Sequence, residues 1–337
     1  MAWLEKWGWW LLIAAGLAFP LLATNDYLLT VMGKAFIFAI ATLGLNLITG
    51  YTGQFNLAHA GFMAVGAYTV GILTVDHQVP YWIAFALAGV VTTVLGYFIG
   101  ILSLRLRGHY FSIFTLCVGY IMFLVIEKWE GLTHGTVGIM GIPAPSLGFI
   151  TFDSPLSLYY LALLFMVVGV WAMRRIVGSL LGRTFMAVRN SEELAEALGT
   201  NLMRTKTLSF MLSVFYAGIA GALYAGYVRF IGPDIAAVEH TFDMTMFMIV
   251  GGLGTVLGPL LVLRIWGIPV VFRNGVLAAG VGVAMTMAWH WAGWHRGVYE
   301  GMPGMLAALL VGWLARPRNV AKKARAARGA RASPSRR

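Results

Sequence analysis

Of 337 residues, 59% are hydrophobic and only 11% are charged, against about 25% charged in a soluble domain. A chain this apolar cannot cover its own surface with polar groups, which excludes a water-soluble globular domain and makes hydrocarbon the expected solvent. The formal charge of +11 collects in a tail with no acidic residue after Glu300, where Arg316, Arg318, Lys322, Lys323, Arg325, Arg328, Arg331, Arg336 and Arg337 follow one another. After a membrane domain, such a tail fits a cytoplasmic end touching anionic headgroups better than a nucleic-acid site.

Apolar segments follow in chain order at about 8–24, 27–49, 55–75, 80–104, 109–126, 156–173, 207–229, 242–264, 267–290 and 301–316. At about 20 residues per span, they predict an all-α polytopic membrane helix bundle of about ten transmembrane helices. The first segment could pass for a signal peptide. Glu5 weakens its positive flank and further spans follow directly, so it is read as a retained helix. The second and third are expected to be broken or re-entrant, given the glycines between them. The eighth holds Gly251, Gly252, Gly254, Gly258 and Pro259, and should break near mid-membrane. The tenth is short for a roughly 30 Å core. The transmembrane domain is therefore placed at 1–316, with a cytoplasmic loop at 174–206, and the basic tail at 317–337 is expected to be disordered.

Orientation comes from the loops. Arg174, Arg175, Arg183, Arg189, Arg204 and Lys206 lie in 174–206, Arg105 and Arg107 follow the fourth span, and 127–155 has Lys128 alone. Placing the arginine-rich loop inside puts both termini inside as well. Two small-residue stripes, Ala217–Gly221–Ala225 and Gly218–Ala222–Gly226, recur every fourth residue and predict close helix packing.

Two stretches could carry function. In Gly50–Gly61, a helix beginning near Phe55 would place Asn56 and His59 on one face. Gln54, Asn56 and His59 then read as pore-lining groups or as interhelical hydrogen-bonding groups. In the basic loop, Asn190-Ser191-Glu192-Glu193 reads as a helix start capped by Asn190, with Gly199 as its stop. A helix this short needs a partner surface, supplied by its own loops, by headgroups or by a separate subunit. Replacing Glu192 and Glu193 with lysine is expected to abolish the protein's activity without preventing insertion, if they dock to a partner.

Absences narrow the chemistry. There is no G-x-x-x-x-G-K-[ST] phosphate loop, no metal-ligand spacing and no nucleophile–base pair, so no catalytic or metal residue is assigned. Cys117 is the lone cysteine. No acid falls near the centre of a predicted span, with Asp26, Asp76, Glu127 and Asp243 all near ends. That counts against the alternative of an ion-coupled secondary transporter or a channel with no ATPase partner.

Five stretches in order resemble the LivM-type permeases of branched-chain amino-acid ABC importers: Leu45 to Phe62 with Gly66-Ala67-Tyr68; Leu104 to Phe111 with Thr115-Leu116; Leu132-Thr133 through Gly138-Ile139 to Pro143; Ala187 to Thr200 leading to Ala217-Gly218 and Ala220 to Tyr224; and Gly251 to Thr255 with Gly258-Pro259. They cover about 30–260. His134 stands where the family has glycine, and the residues after about 262 depart from the family's pattern.

The resemblance implies a transport subunit of the bacterial inner membrane, not an enzyme. It carries no cofactor, and ATP and Mg are held by partner ATPase subunits. Implied partners are a sister permease, two ATP-binding cassette subunits and a periplasmic substrate-binding protein; implied cargo is a branched-chain amino acid or a small relative such as urea or a short amide. The resemblance implies an ATPase-coupling segment at Arg189, Asn190, Ser191, Glu192, Glu193, Glu196, Ala197 and Gly199. It favours a translocation path at Gln54, Asn56, His59, Gly251, Gly252 and Gly254.

Overall fold

A computed structural model describes residues 16–20, 26–106, 108–147 and 150–256, all within one compact unit, Met1–Gly267. The expected spans at 267–290 and 301–316, the basic tail, Arg107, Gly258 and Pro259 lie outside the described residues, as does most of the span at 8–24.

The described chain is an all-α membrane bundle. Its helices are α1 (Asp26–Asn46, continued by a π-helical turn, Leu47–Tyr51), α2 (His59–Val75), α3 (Tyr81–Ser103), α4 (His109–Lys128), α5 (Pro155–Gly178), α6 (Leu180–Asn190), α7 (Glu192–Ala197), α8 (Leu202–Val228) and α9 (Val238–Gly251). Among the described residues, five segments are long and apolar enough to span: α1 with its π turn, α3, α4, α5 and α8. Little amphipathic pattern marks these spans, because both their packed and their outward faces are apolar. α6 differs: Gly182, Phe185 and Val188 are buried, while Arg183 and Arg189 stay accessible.

α8 occupies the centre, against α1, α2 and α3. Thr92 and Gly66 meet Gly218, and Met63 meets Gly221, so both predicted small-residue stripes are helix crossings. Tyr81 reaches across the second stripe, its hydroxyl donating to Ala222 O at 2.9 Å.

One end of the bundle gathers Asp76 with His134 (3.5 Å), Arg229 with Asp153 (2.6 Å) and the two-residue antiparallel pairing of Ile139–Met140 with Phe230–Ile231. The other end, called the basic end below, carries α6, α7, the start of α8 and the turn after α3. His134 holds a left-handed backbone, φ 60°, a conformation glycine adopts without steric cost. His134→Gly is therefore expected to raise stability by about 1 kcal/mol, read as a higher thermal midpoint in detergent; the exposed contact to Asp76 that it removes contributes less.

Two expectations need correction. The third segment is not helical from Phe55: residues 52–58 run without helical structure and α2 begins only at His59. At 17 residues, α2 is about 25 Å long, short of a full span, and the non-helical stretch supplies the remainder. Second, α9 starts at Val238, so Asp243 stands in its second turn and not at its first residues. α9 ends at Gly251, inside the predicted glycine run, with Gly252 and Gly254 at φ +104° and +74°, and the break lies at the basic end of the bundle beside the π turn.

Candidate functional site

At the basic end, three breaks in helical geometry meet. The first is the end of the π turn, whose carbonyls have lost their helical partners and must be satisfied otherwise. Thr52 Oγ1 donates to Leu47 O at 3.2 Å and lies 2.5 Å from Ser209 Oγ on α8. The Gln54 amide donates to Ile48 O at 3.0 Å, and Thr49 Oγ1 donates to Gln54 O at 3.0 Å. Gly50 O accepts from Arg189 Nη1, on α6.

The second break is the non-helical stretch leading to α2, held by side chains of the surrounding helices. The Leu57 amide donates to Thr115 Oγ1 on α4 (3.1 Å), the Ala58 amide to Asn56 Oδ1 (3.0 Å), and the Ala60 amide to Thr241 Oγ1 on α9 (2.9 Å). His59 is fully buried and its Nε2 lies 2.7 Å from Ala41 O. A carbonyl only accepts, so that nitrogen carries the proton and Nδ1 of the neutral ring is an acceptor. Asn56 and His59 therefore do not share a helix face: Asn56 precedes the helix and folds back on Ala58, while His59 opens it. Among the described residues, Gln54 Oε1, Asn56 Nδ2 and His59 Nδ1 have no hydrogen-bond partner.

The third break is the loop after α9. The Asn46 side chain clasps it from both sides, Nδ2 donating to Thr255 O (2.7 Å) and Oδ1 accepting from the Gly254 amide (3.0 Å). Gly50 makes this possible: a Cβ there would overlap Asn46 Oδ1 and lie 2.6 Å from Gly254 N. The structure thus brings Gly254 to the π turn, places Gly251 at the end of α9 and Gly252 just beyond it, and places Gln54, Asn56 and His59 on the neighbouring broken segment.

The basic loop forms two helices joined at Ser191. Sequence reasoning chose Asn190 as cap, but Asn190 ends α6 and Ser191 caps α7, its Oγ accepting from the Leu194 amide at 3.2 Å. The cause is a second helix upstream that leaves a single residue to turn the chain. Gly199, φ +85°, stops α7 as expected: its amide donates to Glu196 O (2.9 Å) and that of Thr200 to Ala195 O (3.0 Å), the paired bonds of a Schellman motif. Ala195 is buried beneath α7, whereas Leu194 and Leu198 are 61% and 77% exposed. Glu193, Glu196 and Ala197 are also exposed.

Glu192 is otherwise engaged. Its Oε1 lies 2.6 Å from Nζ of Lys206, whose side chain is only 7% exposed. Glu192→Ala would strand that ammonium, and is expected to lower stability by about 2 kcal/mol, the low end for an unpaired buried charge because Glu192 itself remains in reach of water. Thermal unfolding of Glu192→Ala beside the double variant Glu192→Ala/Lys206→Leu checks this: the double variant should recover most of the loss.

Sequence reasoning gave no site role to Asn46, Lys206, Thr115 or Thr241. Asn46 carried a signal, being a polar residue inside the apolar run 27–49, and both it and Thr115 lie in stretches that resemble the family; Thr241, a threonine in an apolar helix, carried none. Among the described residues, no group of three or more His, Cys, Asp or Glu could hold a metal ion.

No solved structure matches. The LivM permease of the high-affinity branched-chain amino-acid transport system of Salmonella typhimurium is 30% identical over 72% of this chain and 63% of its own length. Its Escherichia coli counterpart is 31% identical over 65% of this chain and 57% of its own. The chain thus spans about three fifths of these relatives. The autoinducer 2 import permease LsrC of an Enterobacter species is 28% identical over 72% of the chain and 71% of its own. The family described as branched-chain amino acid transport system / permease component matches residues 27–268, the stretch that contains every break and contact above, and the chain belongs to that family.

Proposed function

We propose that this chain is the membrane-spanning subunit of an ATP-driven importer of the LivM type, that its basic end faces the cytoplasm of a bacterial inner membrane, and that it moves branched-chain amino acids or a chemically similar small solute. The observation that carries the reading is α7: a short helix capped at both ends, presenting Leu194 and Leu198 side by side on the basic end. Two large apolar side chains outside the spans suit a protein partner, and the chain has no phosphate loop of its own. An ATPase subunit docking on α7 supplies both. The remaining partners are a sister permease, a second ATPase subunit and a periplasmic binding protein that delivers the cargo.

In this mechanism, ATP binding and hydrolysis in the partner move α7 and α6 together, and the discontinuous segments rearrange to open the path alternately to each side. The cargo passes along 54–59, where Gln54 Oε1, Asn56 Nδ2 and His59 Nδ1 offer unpaired polar atoms and Gly251, Gly252 and Gly254 give backbone room. The contacts are few and neutral, which suits a zwitterion with an aliphatic side chain held briefly, with selectivity left to the binding protein. Similarity to an autoinducer 2 permease as well as to LivM supports a path tolerant of different small polar solutes.

Co-expression tests the reading. Purified with its sister permease and ATPase subunits, the chain is expected to form a stable complex whose ATP hydrolysis rises with leucine-loaded binding protein. A folded chain that recruits no ATPase and supports ionophore-sensitive uptake would overturn it.

A further inference from the structure

We infer that Arg189 is the positioning residue that carries movement of the α6–α7 pair into the membrane, its guanidinium bonded to the π turn and seated against Gly254 in the loop after α9. This rests on the importer reading and adds the route by which the docking helix reaches the path.

The geometry is specific to arginine. The side chain leaves the last turn of α6, and its Cγ would lie 3.1 Å from a Cβ at Gly53, whose φ of +80° turns the chain around the stem. Nη1 then donates to Gly50 O. The same nitrogen lies 2.8 Å from where a Cβ of Gly254 would stand, so a side chain at 254 would crowd the head and one at 53 the stem. The contacted loop is in turn locked to α1 by the two hydrogen bonds of Asn46. A displacement at Arg189 is therefore felt by the end of α1, the entry to α2 and the end of α9 together. Upstream, α6 is joined to α7 through Ser191 alone, with the Ser191 amide bonded to Ala187 O at 3.1 Å and the Ala195 amide to Ser191 O at 3.1 Å. The exposed leucines of α7 and the guanidinium thus belong to one stiff unit.

Lysine would keep the charge and one donor on a similar stem, while methionine would keep the stem's packing on Gly53 and lose the donor. The test uses the full complex, with Cys117→Ser and Leu253→Cys as reporter; Leu253 is 43% exposed on the loop after α9. The readout is the rate of thiol labelling at 253 with and without ATP, beside assembly and basal ATP hydrolysis. With Arg189 present, ATP should change the labelling rate several-fold. Arg189→Met, compared per assembled complex, should lose the labelling response and roughly tenfold or more of uptake, within the 5–150-fold range of inter-site coupling. Arg189→Lys should restore part of both. An Arg189→Met complex that keeps the ATP-dependent change at 253 overturns the inference and leaves the importer reading standing. A complex with Arg189 intact that recruits no ATPase overturns the importer reading instead, and the inference with it.

Discussion

A chain carrying Leu194→Asp and Leu198→Asp is expected to fold and enter the membrane normally, yet bring down no ATPase subunit on affinity purification and support no uptake. Both side chains stand in solvent at 61% and 77% exposure, so neither substitution buries a charge, and stability should change by about 0.5 kcal/mol or less for each. The helix keeps its Ser191 cap and its Gly199 stop. In a docked complex the same two leucines would be the central apolar anchors, the class of residue whose loss costs about 2 kcal/mol or more apiece. Charging both should weaken assembly by at least two to three orders of magnitude. Normal recovery with normal ATPase binding would show that α7 rests against something else. This pair is a cleaner probe than lysines at Glu192 and Glu193: Glu192 holds Lys206 at 2.6 Å, so a lysine at 192 would place two ammonium groups together and damage the fold and the docking face at once.

The spans were legible because an 18-residue apolar run in lipid has one outcome, and α1, α3, α4, α5 and α8 follow the hydrophobic boundaries to within a few residues. The basic loop and the turn after α3 fall at one end of the bundle, the arrangement the arginine count requires. What was not legible is where the chain stops being helical inside the membrane. Nothing local in Gln-Phe-Asn-Leu-Ala forbids a helix. The non-helical path from 52 to 58 is chosen because the ends of the π turn and of α2 find partners far away in sequence: Ser209, Thr115 and Thr241. The Asn46 clasp is likewise tertiary, joining residues more than two hundred positions apart. Glycine was the best local guide. Gly53, Gly199, Gly252 and Gly254 all have left-handed φ, and each sits where a motif or a break was placed.

Glycine also gives the largest expected effect on folding, and one substitution should have opposite outcomes at two positions. At Gly221 on α8, a Cβ would overlap Met63 O and lie 2.9 Å from Ala67 N, both backbone atoms of α2 that no rotamer change can move. Gly221→Ala must push α2 and α8 apart at the centre of the bundle, where Gly66 and Gly218 also touch backbone to backbone. The expected loss is about 3 kcal/mol or more, enough that little monodisperse protein should survive detergent extraction. At Gly169 on α5, the nearest atoms to a new Cβ are Tyr216 Cε1 at 3.6 Å and Ile40 Cγ1 at 4.0 Å, ordinary van der Waals distances. Gly169→Ala should therefore fold, and gain up to about 1 kcal/mol from alanine's helix preference. Fluorescence-detected size exclusion after a heating series separates the two. Equal loss at both sites would mean that added bulk anywhere in these helices is harmful; loss confined to Gly221 assigns the cost to the α2–α8 crossing, the contact that fixes where the shortened α2, and with it His59, sits in the bundle.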